Sequence, residues 1–113
     1  MPATSKNNAL VLDELFRVIE SRRDEDPGQS YTAKLLLDGT PTIARKVGEE
    51  SVEAIIEALR LDKIKLAEES ADLLYHLLVL WADQGIAHIV VWDILFTRFG
   101  ISGVEEKKSR MER

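Results

Sequence analysis

Apolar residues recur along the chain at the spacing of amphipathic helices, and residues that stop helices fall between the runs. Leu12, Leu15, Phe16 and Ile19 gather on one side of a first helix from about Asn8 to Arg23, with Asp13, Glu14, Arg17 and Glu20 elsewhere on the wheel. Asp26-Pro27-Gly28 signals a turn, after which Ser30 can cap a short second helix running through Leu37 to a stop at Gly39. Thr40 before Pro41 predicts the start of a third helix, with the threonine oxygen as its cap, running to about Leu61. Asp62 predicts the cap of a fourth helix through about Gln84, closed by Gly85. A last helix spans about Ala87 to Phe99 and ends at Gly100, although Ile89-Val90-Val91-Trp92 also suits a strand. The pattern predicts an all-α bundle of about five helices in one domain over residues 1–113. Residues 1–8 form a polar N-terminal arm and residues 101–113 a charged C-terminal tail.

Composition narrows the function. At 113 residues a single chain buries a modest core, and with no cysteine it has no disulfide to compensate, so completion of the bundle by oligomerisation is expected. The lack of cysteine also excludes thiol catalysis and thiolate zinc sites and suits a reducing compartment. Met1 to Asn8 is polar, with no apolar segment to serve as a secretory signal, and no apolar run is long enough to span a membrane, which leaves a cytoplasmic protein as the expectation. A net charge of -5 works against a nucleic-acid backbone as partner. It does not work against a nucleotide, provided divalent cations sit between the protein's carboxylates and the phosphates.

The placement of the acids then matters. On the third helix Lys46, Glu49, Glu50, Glu53 and Glu57 project within an arc of about 100°. On its own this row reads as a solvated acidic face. The fourth helix changes the reading, because from Ala71 to Ala82 it is apolar on nearly every side except at Asp72 and His76, as a buried helix would be. Glu69, Asp72, His76 and Asp83 make one narrow polar stripe along it. If the two helices pack antiparallel, their acidic rows face each other, and carboxylates so gathered repel unless a cation holds them. Magnesium suits such a site, since its usual protein ligands are carboxylates and it shares its remaining positions with water and phosphate. A di-iron bundle would need Glu-x-x-His pairs, which are missing. His76 lies on the stripe, behind the acids. A lone helical histidine is otherwise a hydrogen-bonded core residue.

No phosphate loop, dinucleotide fingerprint or His-Glu-x-x-His motif occurs, so phosphate contacts must come from single side chains. Lys34, Arg45, Lys46, Lys107 and Arg110 are the candidates, each weighed against the plain role of a solubilising surface charge.

Three segments in order, Ser30-Tyr31-Thr32-Ala33-Lys34-Leu35-Leu36, Lys46-Val47-Gly48-Glu49-Glu50-Ser51-Val52-Glu53 and Glu69-Ser70-Ala71-Asp72-Leu73-Leu74-Tyr75-His76, resemble the signature of the phosphoribosyl-ATP pyrophosphatase family. That family belongs to the MazG-like all-helical nucleotide pyrophosphohydrolases. The resemblance runs from about Leu10 to Arg110 and includes the ending Ser102-Gly103-Val104-Glu105-Glu106-Lys107. It implies hydrolysis of phosphoribosyl-ATP to phosphoribosyl-AMP and pyrophosphate in histidine biosynthesis. By the family's Glu-Glu-x-x-Glu and Glu-x-x-Asp pattern, Glu50, Glu53, Glu69 and Asp72 are implied as magnesium ligands, with Glu49 ligating, orienting or acting as general base. Lys34 and Lys46 would meet phosphate, and Lys107 and Arg110 would fold the tail over the substrate. The chain resembles the family's stand-alone form rather than its fusion with a cyclohydrolase. Two other readings stay open at this point: a housecleaning enzyme acting on other nucleotides with the same metal site, and a helical adaptor in which the acids merely solvate a face.

Overall fold

The computed structural model describes residues 8–99 and Met111. Among them are five helices and no strand: α1 Leu10–Ser21, α2 Tyr31–Asp38, α3 Thr40–Leu59, α4 Lys63–Asp83 and α5 His88–Arg98. The Ile89–Trp92 stretch is therefore helical. Most of the N-terminal arm and nearly all of the C-terminal tail, Lys107 and Arg110 included, lie outside the described residues.

Helix ends follow local chemistry. The Ser30 hydroxyl accepts from Ala33 N at 3.1 Å and an Asp62 carboxylate oxygen accepts from Lys65 N at 3.0 Å, as the sequence predicts. Thr40 departs from its expected role. It is the first residue of α3, with Gly39 at the cap, and its hydroxyl donates instead to Asp83 Oδ2 at 2.5 Å, while Gln84 Nε2 donates to Thr40 Oγ1 at 2.9 Å. The hydroxyl thus clasps α3 to the end of α4 rather than capping a helix. The two long helices close by the same device: Gly85 at φ 72° and Leu61 at φ 62° each follow a helix, and the next residue's amide bonds back across the last turn, Ile86 N to Trp81 O at 2.9 Å and Asp62 N to Glu57 O at 3.1 Å. Glycine takes that left-handed conformation at no steric cost. A leucine there costs roughly 1–2 kcal/mol.

The α3–α4 hairpin is the spine. Thr40 meets Asp83 at its open end, Glu50 meets Glu69 and Asp72 midway, and Arg60–Asp62 turns the chain at the far end, so the helices run antiparallel. Helices α1 and α2 pack on the open-end half. The core there joins Phe16 and Ile19 of α1, Leu35 of α2, Ile43 of α3 and Leu78, Val79 and Ala82 of α4. Expected burial along the whole apolar stretch of α4 holds only for this half: Leu74 is 44% exposed and Ala71 also faces solvent, because neither α1 nor α2 reaches that far. Helix α5 has no buried residue and is pinned by Trp92, whose indole N–H donates to Asp13 Oδ1 at 2.7 Å and whose ring meets Trp81 edge-on. Among the described residues no single helix is long and apolar enough to cross a membrane.

Candidate metal centre

Antiparallel packing brings the two acidic rows together where the sequence predicts it. One carboxylate oxygen each from Glu50, Glu69 and Asp72 lie within 4.8 Å of one another, Glu50 from α3 and the other two one turn apart on α4. Two of these carboxyls are incompletely satisfied: Glu50 Oε2 and Glu69 Oε2 are buried with no hydrogen-bond partner. Buried acceptors without donors are costly. A shared cation or a shared proton removes that cost, and crowding of the carboxyls favours their protonated forms. Glu69 is pushed up to about 7, first by the neighbouring Glu53 carboxyl, then by burial and by Glu50. Burial, followed by Glu53 and Asp72, also raises Glu50, with the Glu69 carboxyl acting the other way. Glu53 therefore belongs to the same electrostatic group, although its oxygens lie outside the tight trio.

This arrangement fits magnesium. Every donor is a hard carboxylate oxygen, the trio is compact enough for one ion to touch all three, and two orphaned oxygens want a positive partner. Asp72 is exposed, so one side of the trio opens to solvent, where water and phosphate can complete the coordination.

The other candidates fall as follows. Glu49 is not brought into the trio; its half-exposed carboxylate pairs with Arg45 at 3.8 Å and Lys46 at 3.7 Å on its own helix. Glu57 pairs with Arg60 at 3.9 Å near the hairpin turn, and Asp83 is taken up in the clasp with Thr40. Lys34 pairs with Asp38 at 3.3 Å. His76 is buried at 6% exposure, one turn after Asp72, with its Nδ1 2.8 Å from the Asp72 carbonyl oxygen.

Sequence reasoning missed what lies on the other side of His76. Tyr31 Oη is 3.0 Å from His76 Nε2, and the neighbouring Thr32 and Tyr75 hydroxyls are hydrogen-bonded. Aromatic residues at Tyr31, Tyr75 and His76 were visible, but periodicity within single helices says nothing about which helix lies across from which.

Comparison with known proteins identifies the chain's relatives. A family model described as phosphoribosyl-ATP pyrophosphohydrolase matches residues 12–99. The chain is similar to proteins named phosphoribosyl-ATP pyrophosphatase from Azospirillum brasilense, 55% identical over 96% of this chain and 97% of the relative. It is similar also to those from Paramagnetospirillum magneticum, 53% identical over 91% and 94%, and Rhodospirillum rubrum, 48% identical over 88% and 86%.

Proposed function

The chain belongs to the phosphoribosyl-ATP pyrophosphohydrolase family, and from that premise we propose that it hydrolyses phosphoribosyl-ATP to phosphoribosyl-AMP and pyrophosphate with magnesium held between α3 and α4. It is a hydrolase of histidine biosynthesis, and the relatives' shared name favours phosphoribosyl-ATP over other nucleotides as its substrate. The observation that carries the metal reading is the trio of Glu50, Glu69 and Asp72 with its two unpartnered buried oxygens.

Glu50, Glu69 and Asp72 ligate the ion, and Glu53 joins them from the next turn of α3. Magnesium so held supplies the electrostatic part of the chemistry, offsetting the charge of the triphosphate and of the pyrophosphate that leaves. The bond broken is the one between the α and β phosphates, where water attacks. Glu49, one residue before the ligand Glu50 and turned toward solvent, takes the proton from that water. Lys46 holds Glu49 in place and, with Lys34, meets phosphate oxygens. His76 braces Asp72 from behind. Lys107 and Arg110, which lie outside the described residues, are further candidates for phosphate contact.

The working form is a homodimer or higher homo-oligomer in the cytoplasm. Gly48, Val52, Ile55 and Leu59 line the side of α3 turned away from α4 at i, i+4, i+7 and i+11, and Leu59 is 80% exposed. Leu61, strained and 84% exposed at the turn, extends the same bare surface. Apolar surface of this extent is covered in a stable protein, and a second copy supplies a matching seam.

Pyrophosphate release from phosphoribosyl-ATP tests the reading. Wild-type protein should turn over only with a divalent cation, faster than on any common nucleoside triphosphate, and Glu50→Gln should be inactive. Equal rates in a chelator, or a preference for the other triphosphates, would refute it.

A further inference from the structure

His76 is the one buried polar residue among the described ones, and both of its ring nitrogens are engaged. A carbonyl oxygen can only accept, so the neutral ring carries its proton on Nδ1, facing Asp72 O. Nε2 is then a bare acceptor, and the Tyr31 hydroxyl 3.0 Å away donates to it. Next to this bond the Thr32 and Tyr75 hydroxyls are joined, with the Tyr31 and Tyr75 rings stacked at 6.2 Å. The first turn of α2 is therefore gripped twice by a single turn of α4, the turn that directly follows Asp72.

Tyr31 is 51% exposed, so burial of its ring explains little of its presence; the hydroxyl makes the connection to the interior. An eight-residue helix has little stability of its own, and its position is set by what holds it. Ala33 and Leu35 bury one face of α2, but apolar contacts have no direction and do not by themselves fix where its first turn sits. Lys34 follows Tyr31 at i+3, adjacent on the helix surface, with its ammonium exposed.

We infer that Tyr31 is a positioning residue: its hydrogen bond to His76 seats α2 at the edge of the carboxylate trio and thereby sets the reach of Lys34 to a substrate phosphate. The inference rests on the assignment of Lys34 to phosphate given above. An interaction that holds substrate equally in ground and transition states appears in KM rather than kcat. Loss of the hydroxyl leaves a buried Nε2 unpaired, which corresponds to about a tenfold effect on whatever depends on the seating.

Steady-state kinetics with phosphoribosyl-ATP, in saturating magnesium, on the full chain carrying Tyr31→Phe, Lys34→Ala or both, tests this. Tyr31→Phe should raise KM about tenfold, with kcat within twofold and the magnesium concentration for half-maximal rate unchanged. Lys34→Ala should raise KM at least as much, and the double variant should be no worse than Lys34→Ala alone. Thr32→Val, which removes only the neighbouring bond, should move KM the same way by less, and it serves if Tyr31→Phe does not fold. An unchanged KM in both Tyr31→Phe and Thr32→Val, or losses that multiply in the double variant, would overturn the inference while leaving the role of Lys34 standing. An unchanged KM in Lys34→Ala would remove both.

Discussion

The two halves of the α3–α4 hairpin are built from similar residues and end in opposite states. At the open end Ile43, Leu78 and Val79 are essentially inaccessible, sealed by Phe16, Ile19 and Leu35 from the short helices. At the turn end Ile55, Leu59, Leu61 and Ile64 are between 59% and 84% exposed. Intrinsic hydrophobicity does not distinguish them. What differs is supply: α1 and α2 are long enough to cover one half only. The acidic trio sits at the boundary, buried enough on one side to leave carboxyl oxygens without donors and open to solvent on the other, where Asp72 is exposed. The lesson is that a site of this kind belongs at the edge of a core, where desolvation strengthens charge interactions without shutting out the ligand.

Truncation separates the halves most sharply. Ile43→Ala should cost roughly 2–5 kcal/mol at any protein concentration, by denaturant unfolding. Ile55→Asp should instead convert the assembly to monomer in sedimentation velocity, so that its melting temperature no longer depends on concentration and its deficit relative to the wild type grows with concentration. A concentration-independent loss in both would erase the distinction between them.

The boundary responds differently again. Asp72→Asn should lower turnover on the order of 100-fold or more, while thermal unfolding without metal stays the same or improves, because a repelling charge is gone. Loss of activity through unfolding would contradict that.

A smaller effect follows from crowding of the carboxyls. Glu69 rises from 4.5 to about 7 in the folded chain, so between those values the folded state holds more protons than the unfolded. Stability from this group is therefore fully present below about 4.5 and is lost as pH rises through about 7. In a chelator, Glu69→Gln should flatten the fall in melting temperature over that window. Added magnesium should restore stability mostly at the upper end, where the carboxylates are ionised. A wild-type curve that rises across the window would reverse the assignment.

The smallest is at the turn. Leu61→Gly relieves a left-handed leucine and should stabilise an isolated monomer by up to about 1 kcal/mol, yet weaken the assembly if a second copy covers that side chain. A change of the same sign in both would place Leu61 outside the interface.

Much of this was legible beforehand. Helix count and ends follow from periodicity and from Ser30, Asp62 and Gly85, all local signals. The pairing of Glu50 with Glu69 and Asp72 was accessible because a short turn forces two long helices to run antiparallel. The role of Thr40 was misread, since a cap and a clasp to Asp83 use the same hydroxyl and only the second depends on a residue 43 positions away. The Tyr31–His76 bond, spanning 45 positions, was invisible for the same reason. The half-bare state of α4 was hidden because an apolar stretch reports that it will be covered, not by what.

Anomalous diffraction from crystals soaked in manganese, a stand-in for magnesium that can be located by its own scattering, tests the central claim most directly. A peak within coordination distance of Glu50, Glu69 and Asp72, absent in Asp72→Asn crystals, is the result predicted. A manganese-saturated crystal with no peak between α3 and α4, or with these carboxylates turned away from the ion, would contradict it.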